Sequence, residues 1–112
     1  MNTKPYDFTS TLYIEIHEPL KLEYVNTFLE DTLARLQQSS EENILIDFHS
    51  VPVINSLVMG AIIELWREIH NQDRSLRLLV NEKIFQIMRV ARLDQYIDII
   101  VLERGYSYAS CT

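Results

Sequence analysis

Residues 44–60, reading ILIDFHSVPVINSLVMG, constrain the fold of this chain more than any other stretch. Residues 44–48 are almost wholly apolar, the pattern of a strand covered on both faces. A short turn then leads to Asn55-Ser56, after which Val58, Ile62, Leu65 and Ile69 recur at helical spacing, flanked by Ala61 and Trp66, to about Asn71. The junction places a serine hydroxyl at the mouth of a helix and at the C-terminal edge of a sheet, where open α/β folds carry their working residues. Such a hydroxyl either caps the helix by accepting a backbone N–H, worth ~1 kcal/mol, or carries a phosphate beside the positive end of the helix dipole. Asn55 is able to share the capping role.

The same alternation of periods extends along the chain. Leu12, Ile14 and Ile16 alternate with Tyr13, Glu15 and His17, the pattern of a half-buried strand over 11–17 that ends at Pro19. Tyr6 and Phe8 repeat the alternation upstream, which predicts a short edge strand and an antiparallel first strand or hairpin. Over 22–37, Val25, Phe28, Leu29, Thr32, Leu33 and Leu36 form a helical stripe, with Glu23, Glu30, Asp31 and Arg35 outward. A third strand is expected over 76–80. Asn81 then caps a last helix to about Leu93, with Ile84, Ile87, Met88 and Ala91 inward, and a final strand spans 97–102. Strands alternating with helices imply right-handed crossovers. The fold class is α/β, a mixed, mostly parallel sheet of four to five strands packed with three to four helices. Its 112 residues read as a single domain, with a core over 11–102 and a polar tail over 103–112.

Composition narrows the function classes. Sixteen acidic against ten basic residues give a net charge of −6, which argues against a nucleic-acid surface, since that needs clustered cations. Lys83, Arg89 and Arg92 leave a local basic edge on the last helix, read as a solvated face. Two glycines, Gly60 and Gly105, cannot make a glycine-rich phosphate cradle. No apolar run approaches the ~20 residues that span a bilayer, and the N-terminus has no signal-peptide pattern, so membrane insertion is not expected. The single cysteine, Cys111, cannot form an intrachain disulfide and reads as inert; the expected location is cytoplasmic. His17, His49 and His70 show no metal-ligand spacing, and Asp47 is expected to hydrogen-bond the turn that follows it. No histidine lies close enough to Ser56 in sequence to activate it, so neither catalytic residues, metal nor cofactor are expected. On a helical wheel Leu57 and Ile63 fall on the outer side and bracket Gly60, suggesting a small apolar docking patch beside Ser56.

An apolar strand, a turn and then Asp-Ser-Ser/Thr-Gly at a helix start mark the STAS domains, and residues 44–60 resemble that pattern. Asn55, Leu57 and Val58 stand where the family carries its aspartate, second hydroxyl residue and glycine, while Ser56 and Gly60 are kept. Ala91-Arg92-Leu93-Asp94 is similar to the family's Gly-Leu-Asp corner after the last helix. The resemblance covers residues 12–102 and extends to the bacterial anti-sigma-factor antagonists, the stand-alone members. It implies a protein-binding regulator rather than an enzyme. Its partner would be a protein that is both serine kinase and anti-sigma factor, docking on Asn55, Ser56, Leu57, Met59, Gly60 and Ile63. Ser56 would be the phosphorylation site, and a phosphatase would reset the switch. The alternative within the resemblance is a small STAS subunit of an ABC-type lipid-transport complex, gripping its ATPase without phosphorylation. A small hydrolase or transferase is disfavoured, because no nucleophile–base pair can be assembled from the sequence.

Overall fold

The computed structural model describes residues 10–16 and 22–102. In chain order the elements are β1 (Thr11–Glu15), α1 (Val25–Gln38), β2 (Asn43–Asp47), α2 (Ser56–Asn71), β3 (Ser75–Val80), α3 (Glu82–Val90) and β4 (Asp98–Val101). Short 3-10 turns at Leu22–Tyr24 and Leu93–Gln95 precede α1 and β4. The proposed strand at Tyr6–Phe8, His17, Pro19, Gly105, Cys111 and the polar tail lie outside the described residues.

The described sheet has the order β1-β2-β3-β4, with every neighbouring pair parallel. Within the described sheet β1 is an edge strand and runs parallel to β2, not antiparallel; the antiparallel edge strand expected at Tyr6–Phe8 lies outside the described residues. The chain leaves β1 and enters β2 through α1, and a strand–helix–strand crossover returns the chain in the starting direction.

Strand order and side-chain alternation together make the domain one-sided. Ile14, Ile44, Ile46, Leu76, Leu78 and Val80 point to one face and join one core with Val25, Phe28 and Leu36 of α1, Val58, Ile62 and Leu65 of α2, and Ile84 and Met88 of α3. All three helices thus pack on the same face, the outcome of sequential crossovers of one hand. The alternate residues Leu45 and Leu79 form a second, smaller buried cluster with Leu102 on the opposite face. Both faces of β2 are covered, which is why its sequence is a continuous apolar run.

The helical stripe of α2 is buried as expected; in α1, Val25, Phe28, Thr32 and Leu36 are buried and Leu29 and Leu33 are half-buried against the core. In α3, Ile84 and Met88 are buried, but Ala91 is exposed. The helix ends at Val90, and Arg92 adopts the left-handed conformation (φ 64°), so the 3.6-residue period no longer carries Ala91 inward. Arg92 occupies the glycine position of the Gly-Leu-Asp-like corner, where a positive φ costs a non-glycine residue about 1 kcal/mol. Among the described residues, no helix is long and apolar enough to cross a membrane.

Candidate functional site

The mouth of α2 is built by a pinned loop. Phe48 is buried and donates its N–H to the Leu79 carbonyl at 2.7 Å, extending the β2–β3 ladder, and Val51 then folds back to donate to the Phe48 carbonyl at 3.0 Å. Asn81 clamps the turn from the neighbouring β3–α3 junction. Its amide donates to the carbonyls of His49 (3.0 Å) and Val51 (2.8 Å), while its Oδ1 accepts the Ile84 N–H at 2.9 Å and caps α3. Val51 and Ile54 are buried anchors, and Ile54 before the cap and Met59 in the first turn both join the core, the placement of a hydrophobic staple. Together these contacts fix the entry angle of α2.

The choice of role for Ser56 resolves at the cap. Asn55 is the N-cap, with extended backbone, and its Oδ1 accepts the Val58 N–H at 2.9 Å. Ser56 is the first residue of the helix proper and is exposed. Its hydroxyl has no hydrogen-bond partner among the described residues. The capping reading of Ser56 is therefore replaced by an arrangement in which Asn55 holds the helix end and leaves the serine open to solvent.

Beside Ser56 lies a groove of about 320 Å³ between the starts of α1 and α2. Leu57 and Gly60 line it together with Val25, Asn26 and Leu29 of α1. Leu57 is 53% exposed, as is Val53 in the preceding loop, and a Cβ built on Gly60 would meet nothing within 4 Å. Of the outward apolar surface expected from the helical wheel, Leu57 and Gly60 therefore face the groove, and Met59 and Ile63 do not. Met59 and Ile63 lie about 200° and 240° around the helix from Leu57, half-buried against the core. They belong to the other flank of α2 and not to the groove. The α1 side of the groove and Val53 were missed by sequence reasoning; Val53 alone left a trace, as an apolar residue beside Pro52 in a loop.

The described strands never reverse order, so no switch-point crevice of the doubly wound kind forms among them, and the C-terminal edge of the sheet is instead shaped by its loops. There Asp47, 1% exposed, accepts the His49 backbone N–H at 2.9 Å, as expected for a turn-bonding aspartate, and meets His49 Nδ1 at 2.6 Å. The Tyr13 hydroxyl donates to its other oxygen. With Glu15, the register partner of Asp47 across β1–β2, this forms a group of ligand-type atoms within 4.8 Å of one another. No local sequence pattern marks this grouping, because it is made across paired strands and not along one helix. Two carboxylates and an imidazole suit a divalent cation chemically, but both Asp47 oxygens are already engaged by Tyr13 and His49.

A singly wound parallel α/β domain with an uncovered serine at the first residue of its second helix defines the class of this molecule. The STAS domain profile matches residues 4–104, and the chain belongs to that family. The fold is shared with the crystal structure of a candidate anti-sigma factor antagonist, TM1081 of Thermotoga maritima. The two superpose with a TM-score of 0.76 at 16% identity, covering 91% of this chain and 84% of that one. The NMR structure of TM1081 gives a TM-score of 0.73 at 18% identity, over 90% and 82% of the two chains. No curated protein matches the chain.

Proposed function

We propose that this STAS domain is a non-enzymatic regulatory module that docks a kinase-type anti-sigma factor through the start of α2 and is released by phosphorylation of Ser56. The observation that carries the reading is the division of labour at the helix mouth: Asn55 caps α2, so Ser56 is exposed with its hydroxyl uncommitted among the described residues. An acceptor serine needs exposure and a kinase, and no activating base from its own chain.

The groove beside Ser56 supplies a docking surface of suitable character, with exposed Leu57, the open backbone at Gly60 and the apolar α1 wall of Val25 and Leu29. A phosphate on Ser56 would add ≈ −1.5 to −2 charge at the edge of that surface, opposing closure by desolvation and repulsion. The free N–H groups and dipole of α2 would accommodate the same phosphate within the fold, by ~0.3–1 kcal/mol in its favour. Modification would then change affinity while leaving the domain folded.

Affinity purification of the tagged protein from its native cells, with Gly60→Arg as the paired control, tests the reading. The expected result is a co-purifying ATPase of the histidine-kinase-like fold that is lost with Gly60→Arg. Recovery of an ABC ATPase instead would move the protein to the lipid-transport class. Retention of the partner by a folded Gly60→Arg variant would place the interface away from this groove.

A further inference from the structure

We propose that a second cleft, at the far end of α2, receives the guanidinium of an arginine side chain carried by a partner protein. The cleft holds about 320 Å³ and is formed where the last turns of α2 meet the beginnings of β3 and β4. Trp66 lies ten residues beyond Ser56 and so about 15 Å further along the helix axis. The cleft opens at the N-terminal edge of the sheet, whereas Ser56 stands at the C-terminal edge. The two surfaces are therefore separate.

Two aromatic walls define the cleft. Trp66 and Tyr96 meet edge to face, with centroids 6.2 Å apart and an interplanar angle of 63°. His70 stacks on the indole at 5.2 Å and 14°, which holds Trp66 in place and occupies one of its faces. Tyr96 is 66% exposed, and its hydroxyl has no hydrogen-bond partner among the described residues. An exposed aromatic beside a half-buried tryptophan is the composition enriched at protein-binding sites.

The formal charges lining the cleft are one cation, Arg74, and two carboxylates, Asp94 and Asp98. Arg74 lines it, but four of its five N–H donors are spent on the Leu36 carbonyl (2.9 Å), the Glu41 carbonyl (2.7 Å), Ser39 Oγ (2.7 Å) and Gln72 Oε1 (2.8 Å). It is thus poorly placed to bind an anion. Beside the neutral Gln95 amide and the Tyr96 hydroxyl, the remaining lining groups include two carboxylates. Asp94 is exposed and forms no ion pair among the described residues. Asp98 is 3.4 Å from Arg77 Nε with its side chain 73% exposed, a solvent-screened contact that a second cation can share. The chain as a whole carries a net charge of −6. Aromatic faces with carboxylates select a planar cation that both stacks and donates several N–H bonds, which is arginine in preference to lysine.

Trp66 is the chain's one tryptophan, so its fluorescence reports on this cleft alone. The probe is N-acetyl-arginine methylamide, compared with its uncharged isostere N-acetyl-citrulline methylamide and with free arginine. The expected result is a saturable change in Trp66 emission with a dissociation constant in the millimolar range for one side chain, roughly 1–10 mM. Citrulline amide should bind at least about fivefold more weakly, and Asp94→Asn and Tyr96→Ala should each weaken arginine amide by a similar factor. Both positions are exposed, and circular dichroism verifies folding; if Tyr96→Ala does not fold, the isosteric Asp94→Asn decides. An absent saturable response, equal binding of citrulline amide, or undiminished binding by folded Asp94→Asn would overturn the proposal. Tighter binding of free arginine than of the capped form would assign the cleft to the amino acid and overturn the partner-protein reading. None of these outcomes depends on Ser56 or on the identity of any kinase.

Discussion

Gly60→Ala separates stability from docking in a single residue. Gly60 lies inside the sixteen-residue α2, is exposed, and an added Cβ would touch nothing within 4 Å. The methyl group therefore brings neither burial nor clash, and the change acts through backbone entropy and helix propensity. Alanine in a helix interior is favoured over glycine by roughly 0.5–1 kcal/mol. Unfolding entropy near 2.1 cal/mol/K per residue gives about 0.24 kcal/mol/K for a chain of 112 residues. The expected rise in Tm is then about 2–4 °C, measured by thermal and urea denaturation with an unchanged m-value. The partner arm runs the other way. A methyl between Ser56 and Glu64 stands on the groove wall and should weaken docking, and Gly60→Arg should cost binding at least ~2 kcal/mol while the domain stays folded. A lower Tm for Gly60→Ala would refute the open-space argument, and affinity unchanged by either substitution would refute the placement of the interface.

Five further substitutions probe the caps and the corner. Asn55→Ala should destabilise by ~1 kcal/mol and Ser56→Ala by no more than about 0.5, because only Asn55 accepts the Val58 N–H; the reverse order in urea denaturation would return the cap to serine. Asparagine to aspartate should be tolerated within ~0.5 kcal/mol at Asn55 but cost roughly 1–3 kcal/mol at Asn81. Both caps keep their acceptor, but Asn81 alone loses two donated bonds, to His49 and Val51. Equal effects on chemical denaturation would argue against the Asn81 clamp. Arg92→Gly should raise stability by ~1 kcal/mol by relieving the positive φ, and a fall in Tm would contradict that conformation.

The local order of this molecule was readable because its elements are periodic. Apolar stripes at 3.6-residue spacing in 25–36 and 58–69 and the apolar run over 44–48 left little choice of element, and their alternation dictated crossovers. What periodicity cannot carry is contact between elements. Ser56 and Asn55 are adjacent polar residues with equal claims to the cap, and only backbone geometry assigns it to Asn55. Ile63 lies outside the central stripe on a wheel yet packs against the core, since α2 is sunk deeply enough to bury its flank. The α1 wall of the groove, the Glu15–Asp47 pairing across strands and the Trp66–Tyr96 corner join residues about thirty positions apart, and no local pattern marks them. The departure of α3 from its expected length rests on one residue, Arg92, in a conformation that arginine gives no sign of adopting.

The proposed function has an uncovered Ser56 switch docking at the start of α2. Its most direct measurement is the affinity of the co-purified kinase-type partner for the protein before and after that partner phosphorylates it, with the modified residue mapped by mass spectrometry. One phosphate, on Ser56, a retained fold, and affinity lower by about tenfold or more are expected. Phosphate on another residue, or unchanged affinity with Ser56 fully modified, would contradict it.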